Sequence, residues 1–221
     1  MLTRRYRAYL FDLDGTLVDS APDINAALNA ALAAGGYDSV TEAASRDWVG
    51  SGSRVLIERA LAHLGAFERT ADAPHMQLLL ETFIGYYREH IADSSRLYPH
   101  VADTLTTLAR RGTGLAVVTN KYAALSRQLL QAFALEELFA TVVGGDTLAV
   151  RKPDAGPALH ACRIIGCSAA DALFVGDSVT DVETARAAGC AVVCVRGGYS
   201  HGVPAEALGA DAVIDSLKAL L

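Results

Sequence analysis

The stretch that decides the fold runs Ala8-Tyr9-Leu10-Phe11-Asp12-Leu13-Asp14-Gly15-Thr16-Leu17-Val18-Asp19-Ser20. Its apolar start reads as a buried strand over Ala8 to Leu13. In extended backbone, residues i and i+2 project to the same side, so Asp12 and Asp14 leave the strand end together. Gly15 then allows a sharp turn. Two carboxylates about 4 Å apart repel by about 4 kcal/mol at an effective dielectric of about 20. The pair therefore makes sense if a cation sits beside it or if one carboxyl holds a proton. Both conditions suit phosphoryl transfer. Taken alone, Asp-x-Asp-Gly is as readily a solvated acidic turn, so the rest of the chain must decide.

Composition bounds the answer. The 221 residues are 52% hydrophobic and 20% charged, which fits a soluble globular chain with room for one domain plus an insertion. The formal net charge of -6 argues against nucleic acid or an anionic membrane as a partner. A small anionic substrate would need local positive charge. Arg4, Arg5 and Arg7 precede only a short apolar run that ends at Asp12, so no secretory signal is visible. No uncharged stretch is long enough to span a bilayer. These features lead us to expect a cytoplasmic monomer or homodimer. Cys162, Cys167, Cys190 and Cys194 form no Cys-x-x-Cys pair and read as reduced, buried thiols. The six histidines show no metal-ligand spacing.

From Gly112 onward apolar strand runs alternate with helical patterns. Gly114 to Thr119, Ala140 to Gly144, Ala172 to Gly176, Ala191 to Val195 and Ala212 to Ile214 are the strand candidates. This predicts an α/β fold, a doubly wound, mostly parallel, Rossmann-like sheet covered by helices on both faces. Between the first strand and the next lies a long helical stretch. Leu56, Ile57, Ala60, Leu61 and Leu64 form one helical face there, and Leu79, Leu80, Phe83, Ile84 and Tyr87 form another. We assign 1–16 and 95–221 to an α/β core and 17–94 to an inserted helical cap. An insertion after the first strand emerges at the carboxyl edge of the sheet, where ligands bind in such folds, so it can act as a lid.

Three further clusters lie at or just beyond predicted strand ends. Thr119-Asn120 closes one strand, and its hydroxyl and nearby amides could hold a phosphate or simply cap the next helix. Lys152, before Pro153-Asp154, could supply fixed positive charge or be an ordinary loop lysine. Asp177 ends another strand and offers the oxygen ligand that Mg²⁺ prefers. Asp181 has capping-box spacing to Ser178, so a structural role competes with metal binding.

Together these pieces resemble the haloacid-dehalogenase superfamily over essentially the whole chain. The resemblance rests on Asp12-Leu13-Asp14-Gly15-Thr16, Thr119-Asn120, Lys152-Pro153 and Gly176-Asp177-Ser178-Val179-Thr180-Asp181. Asp14, where other branches carry an aromatic or small residue, points to phosphate esters. A closer resemblance is to the bacterial phosphoglycolate phosphatases, through Leu17-Val18-Asp19-Ser20-Ala21-Pro22-Asp23, Trp48-Val49-Gly50-Ser51-Gly52 and Gly144-Gly145-Asp146. The chain departs from that pattern at Tyr122, at Gly197-Gly198-Tyr199 and at Arg54.

The resemblance implies a phosphomonoester hydrolase with Asp12 as nucleophile, Asp14 as acid and base, and Lys152 as fixed charge. It implies Mg²⁺ held by Asp12, the Asp14 carbonyl and Asp177, with Asp181 behind them, and phosphate bound by Thr119 and Asn120. Gly50, Ser51, Gly52 and Arg54 would face a small phosphate ester from the cap. Hydrolysis of 2-phosphoglycolate is the leading expectation, with a sugar phosphate, a nucleotide or a phosphosugar mutase reaction as alternatives.

Overall fold

A computed structural model describes residues 4–221. Strands β1 (Ala8–Phe11), β4 (Gly114–Val118), β5 (Thr141–Val143), β6 (Ala172–Gly176), β7 (Ala191–Val195) and β8 (Ala212–Ile214) form one sheet in the order β5-β4-β1-β6-β7-β8. Every pairing in it is parallel. The five strand candidates downstream of Gly112 all appear, each within a residue or so at either end. β1 is shorter than expected, because the chain turns at Asp12 to Val18 and the Leu13 carbonyl accepts from the amides of Leu17 and Val18.

The sheet is sided as strand periodicity demands. On one face Tyr9, Phe11, Leu115, Val117 and Val175 pack with leucines of α5 (Val101–Arg110) and α6 (Ala123–Ala132). On the other, Leu10, Ala116, Phe174 and Cys194 meet Ala158, Ala161, Val182 and Ala185 of α7 (Gly156–Ile165) and α8 (Val179–Ala188). Alanines at these contacts let the helices lie close to the strands. Cys162, Cys190 and Cys194 are buried and all four cysteines are free, but Cys167 is only half-buried, a correction to the expectation that every thiol is buried.

Between β1 and β4 stand α1 (Ala21–Ala34), α2 (Glu42–Arg46), α3 (Ser53–His63) and α4 (Ala73–Glu89). Leu56, Ile57, Ala60 and Leu61 of α3 are buried, as are Leu79, Phe83 and Tyr87 of α4, so both helical faces form the contacts their spacing implied. The stem of this segment is a two-stranded antiparallel ribbon, β2 (Val18–Asp19) against β3 (Arg96–Leu97). Among the described residues no helix is long and apolar enough to cross a membrane.

Candidate active site

β4, β1 and β6 are neighbours, and their register aligns Phe11 with Val117 and with Val175. The chain therefore delivers Asp12, Thr119 and Asp177 side by side at the carboxyl edge of the sheet, each immediately after its strand. All three are buried. Lys152 reaches the same spot from the loop between β5 and α7. Its Nζ lies 2.9 Å from Asp12 Oδ1 and 2.6 Å from Asp181 Oδ1.

The contact to Asp12 has the distance of an ion pair but not the direction of a hydrogen bond. Asp12 Oδ1 is thus a buried oxygen without a hydrogen-bond partner. Burial is the largest influence on Asp12 and, with Asp181 and Asp14, pushes its pKa up to about 6 against the pull of Lys152. Asp177 is driven well above the usual carboxylate range, first by burial and then by Asp181 and Asp12. Burial opposes the charge on Lys152, but Asp12 and Asp181 outweigh it and hold the ammonium above its ordinary pKa.

Asp177 is fixed from both sides. Thr16 Oγ1 donates to its Oδ1 at 2.6 Å, and the Tyr199 amide donates to its Oδ2 at 2.6 Å. Gly15 has φ of 87°, and a Cβ there would stand 2.4 Å from Asp177 Oδ2, so the turn needs glycine for both conformation and room. Asp181 accepts from the amides of Asp177 and Ser178 and from Ser178 Oγ, the bonding expected of an acid in the first turn of a helix, while its other oxygen holds Lys152. One carboxylate therefore caps α8 with one oxygen and holds Lys152 with the other.

Oxygen ligands from Asp12, Asp177 and Asp181 all come within 4.8 Å of one another. With a buried Asp12 oxygen that has no hydrogen-bond partner, a hard-oxygen donor set, and the pKa values of Asp12 and Asp177 raised, these residues fit Mg²⁺.

Asp14 is held differently. Ser20 Oγ donates to its Oδ1 at 2.5 Å, and Lys121 Nζ lies 2.8 and 2.9 Å from its two oxygens. Lys121 was not among the site residues inferred from sequence. Its signal was present, a lysine directly after the Thr119-Asn120 pair, but a loop lysine carries no mark of burial. Asn120 donates from Nδ2 to the carbonyls of Gly50 and Lys152, joining the glycine loop before α3 to the core. Its Oδ1 has no partner.

A cavity of about 90 Å³ opens beside Asp12 and Asp14. At about 30 Å³ per water this is room for roughly three waters. Its walls include Thr119, Asn120 and Lys121 from the core, Gly50, Gly52, Ser53 and Arg54 at the start of α3, and Tyr87 from α4. Ser51 is half-buried and is not among the lining residues. The Arg54 side chain is about half exposed, with Nη1 3.5 Å from Glu58 on its own helix.

The sequence profile of the haloacid dehalogenase-like hydrolases matches residues 9–195. The chain belongs to the haloacid dehalogenase-like hydrolase family. Relatives of this hydrolase include a phosphoglycolate phosphatase of Mesorhizobium japonicum, 45% identical over 86% of this chain and 83% of that protein. Another, from Haemophilus influenzae strain 86-028NP, is 39% identical over 100% of this chain and 99% of its own. A crystal structure described as a predicted phosphoglycolate phosphatase from Haemophilus somnus 129PT superposes with a TM-score of 0.91 at 35% identity, covering 97% of this chain and 96% of that one. The haloacid dehalogenase-like hydrolase described here is accordingly an enzyme of the phosphoric monoester hydrolase class.

Proposed function

We propose that this enzyme hydrolyses 2-phosphoglycolate to glycolate and phosphate through a phosphorylated Asp12. The observation that carries the reading is the buried, unpartnered oxygen of Asp12 at the mouth of a small cavity, beside Lys152 and with Asp14 two residues along the chain. The names of the relatives favour the same substrate.

In the first step an Asp12 carboxylate oxygen forms a bond to phosphorus while the ester P–O bond breaks, and Asp14 gives its proton to the departing alcohol oxygen. Asp14, now a carboxylate, then takes a proton from a water that attacks the same phosphorus, and the bond from phosphorus to Asp12 breaks. Thr119 Oγ1 and the Asn120 amide supply donors for the non-bridging phosphate oxygens. Lys152, fixed by Asp181, keeps a positive charge beside Asp12 throughout. Asp12, the carbonyl of Asp14 and Asp177 would hold Mg²⁺, with Asp181 behind them. When bound, the ion supplies the positive charge that lets several carboxylates face a phosphate.

In this reading 1–16 and 95–221 form the core and 17–94 the lid, with Gly50, Gly52 and Arg54 on the substrate side of the lid. Closure over the site would exclude bulk water during transfer.

The test is a screen of phosphate esters. 2-Phosphoglycolate should exceed hexose phosphates and nucleotides in kcat/KM by at least ~10-fold, about 1.4 kcal/mol of differential transition-state binding. A sugar phosphate or nucleotide that outperforms it would overturn the substrate and leave the phosphatase reading standing.

A further inference from the structure

Lys121 closes the short loop between β4 and α6. Its side chain is only 8% exposed, yet the residue lines the cavity. Its ammonium makes two contacts to Asp14 and lies 4.4 Å from the centre of the Tyr87 ring. Tyr87 comes from α4 and is 1% exposed, and its hydroxyl has no hydrogen-bond partner. A buried hydroxyl left unpaired is costly, so a native structure that keeps one at a cavity wall invites an acceptor from the ligand.

Other cations at the site are committed elsewhere or more exposed. Lys152 is held between Asp12 and Asp181, and the half-exposed Arg54 lies nearest Glu58.

The inference rests on the reading of the enzyme as a phosphatase for 2-phosphoglycolate. In that ester the carboxylate is one carbon from the oxygen that Asp14 must protonate. A substrate carboxylate beside that oxygen enters a site already rich in buried acids, and an anion there needs a cation beside it. The Lys121 ammonium, on the cavity wall beside Asp14, is such a cation.

We propose that Lys121 and the Tyr87 hydroxyl together bind the carboxylate of the substrate's alcohol half. An ester without an anionic group forgoes this contact, so discrimination falls on kcat/KM. Because Tyr87 stands on α4 and Lys121 on the core, both halves of the cleft are needed to read the carboxylate.

The experiment compares 2-phosphoglycolate with ethyl phosphate, in which a methyl group replaces the carboxylate. Wild type should prefer 2-phosphoglycolate. Lys121→Met keeps the apolar stem beneath Tyr87 but removes the charge, and it should reduce the ratio of the two kcat/KM values by at least ~10-fold, the scale of a lost charge-assisted contact. Tyr87→Phe is nearly isosteric and should reduce the same ratio by roughly 3- to 10-fold.

Equal losses on both esters for Lys121→Met would mean that Lys121 serves Asp14 alone, and would overturn the proposal. Tyr87→Phe melting higher than wild type, with an unchanged ratio, would remove the hydroxyl from it. Calorimetric titration of 2-phosphoglycolate into Asp12→Asn, with and without Lys121→Met, reads the contact without turnover. Equal affinities in those two proteins overturn the carboxylate contact. Wild-type preference for a sugar phosphate overturns only the substrate reading, while a weaker titration with Lys121→Met still supports the contact.

Discussion

At the scale of single residues, Asp12 combines two properties that rarely coexist in a structural aspartate. It is buried, and one of its oxygens lacks a hydrogen-bond partner. Most buried carboxylates have their acceptor sites filled, and an oxygen left with only an ion-pair contact to Lys152 is consistent with the proposed nucleophile. Asp12→Asn preserves shape but replaces the attacking carboxylate with a neutral amide. Turnover should fall by at least ~10³, about 4 kcal/mol in barrier, in steady-state assays on folded protein; a variant that kept more than a tenth of kcat would remove Asp12 as nucleophile. Asp12, Asp14, Lys152 and Asp177 were legible from sequence because each sits in a motif with a distinct neighbour pattern. Lys121 was not, since its importance depends on a contact 107 positions away in the chain, to Asp14. Burial of a charged side chain is a tertiary property that local spacing does not carry. Arg54, which the sequence put beside the glycine loop, lines the cavity while its guanidinium lies 3.5 Å from Glu58, its i,i+4 neighbour.

At the scale of elements, the strands after Gly112 could be read from their apolar runs and turn residues, because a parallel sheet buried on both faces writes itself as continuous hydrophobic segments. The β2–β3 ribbon could not. Two residues per strand are too few to show any alternation. Its ends are instead tied by a side chain: Asp23 in the first turn of α1 accepts from the amides of Ser94 and Ser95 and from Ser95 Oγ, at 2.6 to 3.1 Å. One buried carboxylate thus clamps the departing and returning chains of the helical insertion together. The Tyr199 hydroxyl adds a second tie, accepting from the amides of Ser20 and Ala21 and donating to Asp19. Asp23→Ala should strand the buried amide and hydroxyl of Ser95 and lower stability by about 2–4 kcal/mol. For a chain of this size that is roughly 4–16 °C in Tm. Calorimetry gives the total, and faster amide exchange at 94–97 than in β6 would locate it at the stem. A melting temperature within a degree of wild type would show that the ribbon is held by its backbone pairs alone.

At the scale of the whole molecule, a formal charge of -6 says little until its distribution is known. Asp12, Asp14, Asp177 and Asp181 are all buried at one edge of the sheet, with Lys121 paired to Asp14 and Lys152 to Asp12 and Asp181. The net sign argues against nucleic-acid and anionic-membrane partners, but the composition could not show that four acids share one buried site. That concentration has a pH consequence. Asp12 has its pKa raised from the usual 3.8 to about 6 in the folded protein, chiefly by burial, and Asp177 shifts in the same direction. Between about pH 4 and pH 6 the folded chain retains a proton on Asp12 that the unfolded chain has lost, so metal-free stability should decrease as pH rises through that window. Mg²⁺ needs these carboxylates ionised, and its stabilisation should therefore be greatest above it. At a concentration 100 times its Kd, about 2.7 kcal/mol is expected, or roughly 5–11 °C in Tm for a protein of this length. At pH 5 the proton on Asp12 competes with the ion, and the shift should be clearly smaller at the same Mg²⁺ concentration. Scanning calorimetry with Mg²⁺ or with a chelator at pH 5 and pH 8 measures both effects. Equal shifts at the two pH values would place the ion on groups other than Asp12 and Asp177, because only carboxylates with raised pKa values lose affinity in that range.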